Sequence, residues 1–239
     1  METTETTETP EKTETTATME SSLRHYTKLA DLLRYPDQDA AEVVATARDS
    51  IADRYPDAAA GLKPFIDFFA SSGLTTQEEL FTRSFDVQAI TTLDIGYVLF
   101  GDDYKRGEVL VHLNREHRAV GNDCRNELAD HLPAVLCLLP KMEDAELRAE
   151  LVEKMIIPAL EKIIAEFSPD RIERKKKIYL KHHRTIIESS EHYGLLYRKP
   201  LEAILLVLRQ DFGIPETDKD ELSSQFLSNI GTELTLEAG

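Results

Sequence analysis

Residues 81–139 read FTRSFDVQAITTLDIGYVLFGDDYKRGEVLVHLNREHRAVGNDCRNELADHLPAVLCLL, and the spacing of their apolar side chains decides the fold class. Val109, Leu110, Leu113 and His117 share one side of a helix predicted over 105–120, which Gly121 closes. Ahead of it, Leu93, Ile95, Tyr97, Leu99 and Phe100 form a short helix that follows Thr91-Thr92 and ends at Gly101. Behind it, Asp130-His131-Leu132-Pro133 opens a helix through Val135, Leu136 and Leu138-Leu139 to Pro140. Three helices separated by two charged turns is the reading.

Working outward, the same pattern continues on both sides. Ser21-Ser22 are placed to cap a helix whose Leu23, Tyr26, Leu29, Ala30 and Leu33 lie on one face, stopping at Tyr35-Pro36. A second helix is predicted from about residue 39 to 54, with Val43, Val44, Ala47 and Ile51 inward. Tyr55-Pro56-Asp57 ends it and starts a third, which Gly61 and Pro64 interrupt before the core aromatics Phe65, Phe68 and Phe69. Thr75-Thr76-Gln77-Glu78 fits a capping box for the helix that reaches Leu80 and Phe81.

Downstream, residues 143–167 are the longest periodic segment, with Leu147, Leu151, Met155, Leu160 and Ile163 on one stripe and Pro158 as the expected kink. Ser168-Pro169 restarts a helix over about 169–192 that carries Arg174-Lys175-Lys176-Lys177. A last helix, roughly 199–210, turns Leu201, Ile204, Leu205 and Leu208 inward. Thr-rich strand-like runs with regular turn signals are missing from the interior, so the expected class is all-α: a single-domain bundle of about nine to ten helices.

The charge of -16 across 239 residues is concentrated at the ends. Residues 1–20 carry six Glu and nine Thr against one Lys, and residues 214–239 carry six acidic groups against one Lys. The expected organisation is a disordered tail over 1–20, a helical domain over 21–213 and an acidic, largely flexible tail over 214–239, within which Phe226, Leu227 and Ile230 have the spacing of one docking turn. An acidic body disfavours nucleic acid and anionic membranes and favours a basic peptide partner. No apolar stretch approaches the ~20 residues of a membrane span, and no secretory signal opens the chain, so a cytoplasmic location is expected. Cys124 and Cys137 form no Cys-x-x-Cys pair, which argues against a disulfide framework or a structural metal cage.

Chemistry-bearing residues gather in two places. The turn Gly101-Asp102-Asp103-Tyr104-Lys105-Arg106-Gly107 presents carboxylates that pair geometrically with arginines of a bound peptide, or, more simply, one that caps the next helix. Glu127, Asp130 and His131 form an acid–imidazole group, with the structural alternative that Asp130 caps the helix behind it. His182-His183 and His192 beside the basic run are spaced around a helix and do not converge on a metal, and Asp211-Phe212-Gly213 lacks the companion loops of a kinase. Lacking a nucleophile, a ligand set or a phosphate loop, the central stretch reads as the polar lip of a peptide groove.

The run ending Phe100-Gly101-Asp102-Asp103-Tyr104-Lys105-Arg106-Gly107, the Asp130-His131-Leu132-Pro133 segment and the phrase Leu29-Ala30-Asp31-Leu32-Leu33-Arg34-Tyr35-Pro36 together resemble the NarJ branch of the TorD/DmsD/NarJ assembly chaperones. The resemblance spans roughly residues 23–210; Ala129 stands where that family commonly has proline, and the acidic tails lie outside the shared pattern. It implies a non-enzymatic helper, monomeric or weakly dimeric, that retains no cofactor or metal. Such a helper binds the N-terminal segment of a molybdenum oxidoreductase catalytic subunit, of nitrate reductase or nitrite oxidoreductase type. It assists molybdenum cofactor insertion before membrane attachment or export. The resemblance carries client handling over to Asp130 and His131 only; the full set expected to contact a peptide on this reading is Tyr97, Phe100, Asp102, Asp103, Tyr104, Arg106, Glu127, Asp130, His131 and Leu132. The alternatives are a small metal-dependent hydrolase built on Glu127, Asp130 and His131, or a helical adaptor unrelated to molybdoenzymes.

Overall fold

A computed structural model describes residues 23–175 and 195–216. In chain order the elements are α1 (His25–Asp31), α2 (Ala40–Ala52), α3 (Pro56–Gly61), α4 (Lys63–Ser71), α5 (Leu74–Phe85), α6 (Ile95–Phe100) and α7 (Tyr104–Ala119). There follow α8 (Leu132–Leu138), α9 (Ala145–Leu151), α10 (Ile157–Glu166) and α11 (Arg198–Phe212), and residues 169–175 are helical as well. Strands are absent among the described residues; an isolated antiparallel bridge joins Asp94 to His131. The class is all-α, as the apolar spacing predicts. The Ser21-Ser22 cap, Lys176-Lys177, His182-His183, His192 and both tail expectations fall outside the described residues, apart from residues 214–216.

Helix α8 is the axis of the packing. Six of its seven residues, Leu132 to Leu136 and Leu138, are buried, because an apolar run with no polar face can only be stable when covered on all sides. Helix α1 lies along it and brings Tyr26, Leu29 and Ala30. The C-terminal helix α11 packs on α3, α4 and α10, and α10 in turn packs on α6. Buried side chains from these elements merge into one hydrophobic cluster. Helix α7 is the exception: of its sixteen residues only Leu113 and His117 are buried, and polar pins hold its two ends.

Three local expectations change in the structure. Thr75-Thr76-Gln77-Glu78 does not act as a capping box: α5 starts at Leu74 behind Gly73 with no side-chain cap. The Gln77 amide instead donates to the Phe69 and Ser72 carbonyls at 3.0 Å each, satisfying the end of α4. Asp130 does not cap α8; His131 holds that position without a cap hydrogen bond, and the Asp130 carboxylate is spent elsewhere. The long segment 143–167 is interrupted by a wider helical turn over Val152–Ile156, where the Ile157 N–H reaches back to the Val152 carbonyl. Pro158 follows at once. Its ring and missing N–H cannot complete the usual bond to the carbonyl four residues before, and the helix widens at that point.

The end of α11 is tied down by Asp211, whose side chain is 2% exposed. Its carboxylate accepts from His25 Nε2 at 3.0 Å, Tyr26 Oη at 2.8 Å, Arg54 Nη2 at 2.8 Å and the Tyr55 hydroxyl. Burial would raise this carboxyl, but the hydrogen bonds from His25, Tyr55 and Tyr26 prevail and hold it below its ordinary value. Asp211-Phe212-Gly213 is thus a structural knot between the first and last described helices.

Candidate functional site

The functional candidates sit around the bridge that joins the start of α6 to the start of α8. The Ile95 N–H donates to the Asp130 carbonyl at 3.0 Å and the Leu132 N–H to the Leu93 carbonyl at 2.9 Å. This pairing brings Asp94, Asp130 and His131 together although 36 residues separate Asp94 from Asp130. Arg106, from the first turn of α7, closes the group: Nε donates to Asp130 Oδ2 at 3.0 Å and Nη2 to Asp94 Oδ2 at 3.2 Å. Its guanidinium carbon lies 5.2 Å from the centre of the Tyr97 ring. Burial works against the Arg106 charge, yet the two carboxylates, Asp130 first, raise its affinity for the proton.

Asp130 is fully buried, and its second oxygen, Oδ1, has no hydrogen-bond partner. Gly96 makes room for it: a Cβ there would stand 2.6 Å from Asp130 Oδ2. Only glycine permits the helix backbone to pass so close. On the other side, His131 Nδ1 lies 3.3 Å from Asp94 Oδ1 and 3.9 Å from Glu127 Oε2. The hydrogen bond from His131 is the main reason that the Asp94 carboxyl titrates below its ordinary value; burial opposes this and Arg106 adds to it. An ionised Asp94 can only accept, so His131 Nδ1 carries a proton in this contact.

His131, Asp94 and Glu127 open onto a cleft of about 750 Å³, within the ~300–1,000 Å³ usual for ligand sites. Its apolar lining includes Tyr35, Val43, Val44, Phe69, Phe81 and Phe85. Tyr35 meets Phe81 edge-on with centroids 5.3 Å apart, yet remains 54% exposed, an aromatic left available at the rim. Carboxylates of Asp31, Asp37, Asp86, Asp94, Asp123 and Glu127 share the lining with only two cationic side chains, Arg34 and Arg125. Arg34 is already neutralised by Asp31 at 2.6 Å and rests its other nitrogen against Cys137 Sγ. Asp94 is likewise paired with Arg106 and His131, so the cleft combines apolar side chains with a negative excess from Asp37, Asp86, Asp123 and Glu127.

The residues singled out from the sequence divide. Glu127 and His131 line the cleft; the other eight do not. Leu132 is a core residue with no exposed surface, and Asp130 is equally buried, so neither presents a surface to a docked peptide. Asp103 caps α7, accepting from the Lys105 N–H at 2.9 Å, which is the simpler of the two readings of that turn. Asp102 and Tyr104 are exposed, Tyr104 to 82%, and Phe100 is half-buried. Tyr97 is exposed beneath Arg106. Gly101, at φ 63°, ends α6 in a backbone conformation that favours glycine and begins this turn.

Apart from Glu127, the cleft wall formed by Tyr35, Val43, Val44 and the loop 123–127 was not singled out as a site from the sequence, nor was Asp94. Asp94 stands at the start of a short helix without making a cap hydrogen bond, and its role follows from a bridge to a residue far along the chain. Glu127, Asp130 and His131 do not converge on one point, since Asp130 is turned to Arg106. Among the described residues no group of three or more His, Cys, Asp or Glu is placed to hold a metal ion. No helix among them is long and apolar enough to cross a membrane. No protein-family model matches the chain, and no curated protein sequence is similar to it at a significant level.

Proposed function

We propose that this chain is an assembly chaperone of the NarJ type. It takes the N-terminal segment of a molybdenum oxidoreductase catalytic subunit, of nitrate reductase or nitrite oxidoreductase type, into the cleft, and it assists cofactor insertion while that segment is held. The observation that carries the reading is the cleft itself: apolar side chains from α2, α4 and α5 stand beside six carboxylates, of which Asp31 and Asp94 are ion-paired while Asp37, Asp86, Asp123 and Glu127 outnumber the remaining lining cation, Arg125. A peptide with apolar residues on one face and Arg or Lys beside them complements that surface in shape and sign. The motif resemblance supplies the class of client. The chain neither retains the cofactor nor turns over a substrate in this reading, and it acts in the cytoplasm before the client is attached or exported.

Two measurements test it. Fluorescence anisotropy with a labelled amphipathic basic peptide, taken from the N-terminus of a candidate catalytic subunit, reads binding at neutral pH. Reversing Asp123 and Glu127 together to Lys is expected to weaken it by about tenfold or more, since two favourable charge contacts become repulsive. Added salt is expected to weaken binding to the native cleft, because its rim charges are solvent-facing and screened beyond about 8 Å at physiological ionic strength. Binding that ignores both charge reversal and salt refutes the cleft as the site. Affinity capture from native cells that recovers no molybdoenzyme subunit refutes the client class.

A further inference from the structure

One wall of the cleft is the loop 123–127, and a relay of three side chains ties its two flanks, at Asn122 and Ala129, to α7 and α8. Lys141 Nζ donates to Asn122 Oδ1 at 2.7 Å. Asn122 Nδ2 stands 3.0 Å from the Ala134 carbonyl and 2.9 Å from His117 Nδ1. His117 Nε2 lies 3.0 Å from the Ala129 carbonyl. His117 and Asn122 are 2% and 8% exposed, so water does not substitute for these partners.

The donor and acceptor roles follow from Lys141 alone. An ammonium has only donors, so the Asn122 atom facing it is the oxygen. The amide nitrogen therefore faces Ala134 and His117 and donates to both. His117 Nδ1 must then be a bare acceptor, which puts the ring proton on Nε2, where it donates to the Ala129 carbonyl. Every group is satisfied in one arrangement, and that arrangement requires a neutral imidazole. An imidazolium would turn an N–H toward the Asn122 NH2, donor against donor. Flipping the amide would set its NH2 against Lys141 and leave the Ala134 carbonyl without its partner. No orientation satisfies the charged ring.

We propose that His117, Asn122 and Lys141 are positioning residues for the cleft: their relay fixes the loop 123–127 only while His117 is uncharged, so acidification releases the wall and lowers affinity for the bound peptide. Burial holds the His117 imidazole below its ordinary value, with the Lys141 ammonium adding to this against the Ala129 carbonyl. Among the charged and titratable groups around the ring, Lys141 faces it. Asp123 turns to the Arg125 N–H at 2.8 Å, Asp130 to Arg106, Glu116 to Arg115, and Cys137 of α8 to Arg34. The proposal rests on the cleft being the peptide site, but the loop can be followed with the cleft empty.

The test is an NMR titration of the full chain. Long-range nitrogen–proton correlations of His117 are expected to show the Nε2–H tautomer at about pH 7.5. As His117 titrates, amides of residues 123–130 are expected to exchange about tenfold faster relative to those of α1, after correction for intrinsic rates. His117→Gln removes that pH response; should this variant fail to fold, Lys141→Met, a change at an exposed side chain, provides an independent signature. It removes the opposing ammonium, so the midpoint of the loop transition moves to higher pH. An Nδ1–H tautomer, a loop that ignores the His117 titration, or an unmoved midpoint in Lys141→Met each overturns the relay. If the relay holds but peptide affinity is equal on both sides of the transition, the positioning role falls; absence of peptide binding at neutral pH refutes the cleft reading instead.

Discussion

Replacing Arg106 with Met is expected to be among the most damaging single changes available outside the apolar core. The guanidinium is 16% exposed, and its chief partner, Asp130, has no exposed surface. Removing the cation leaves a buried carboxylate with both oxygens unpartnered, since Oδ1 has no partner even in the native chain. Breaking a buried pair from one side costs about 3–5 kcal/mol, whereas a surface pair costs about 0–1 kcal/mol, and the burial of Asp130 selects the larger figure. At about 2–4 °C per kcal/mol for a chain of this size, Tm should fall by roughly 10 °C. Urea denaturation followed by circular dichroism reads the free energy directly. Asp130→Asn keeps the volume, removes the buried charge and leaves Arg106 its contact with Asp94, so it should cost less, about 1–3 kcal/mol. In the double variant Arg106→Met with Asp130→Asn the uncompensated charge is gone, and the cost should fall below the sum of the single changes. A loss below about 1 kcal/mol for Arg106→Met, or strict additivity in the double variant, would refute the reasoning.

Two glycines should respond with opposite sign to the same substitution. Gly96→Ala drives a Cβ to 2.6 Å from Asp130 Oδ2 and is expected to destabilise by about 1–3 kcal/mol, while Gly107→Ala meets nothing within 4 Å inside α7 and should stabilise by about 0.5–1 kcal/mol. Thermal unfolding of both variants distinguishes space from helix propensity. Asp211→Asn should cost about 3 kcal/mol at neutral pH by weakening four hydrogen bonds at once. Because the Asp211 carboxyl is held below its ordinary value, that contribution is complete above about pH 4 and is lost as pH falls through its folded value. Urea midpoints of native chain and variant, measured down the acid range, should therefore converge; a constant difference would contradict the assignment.

The spacing of apolar residues determined the secondary structure because helix periodicity is a local property. Leu23, Tyr26, Leu29, Ala30 and Leu33 are all buried as their spacing requires, and Gly101 and Gly121 stop the helices they follow. Pro158 announced a disturbance of the long segment, and Asp103 its own cap. Residue type also marked Asp130, His131 and Arg106 as functional candidates, since charged groups between apolar helices need partners. Which partners they take was beyond sequence. Arg106 joins Asp94 and Asp130 only because a two-residue bridge brings the start of α6 beside the start of α8. Tertiary packing likewise put Leu132 and Asp130 inside rather than at a rim, and made a wall from Tyr35, Val43 and the loop 123–127. A cleft is the space left between elements that pack elsewhere, and the chain carries no periodic signal for space. For the same reason Asp211 read as an isolated motif until α1, the turn after α2 and the end of α11 met around its carboxylate. Local patterning decided what the helices are; only the packing of distant segments decided which charges are buried and where an opening remains.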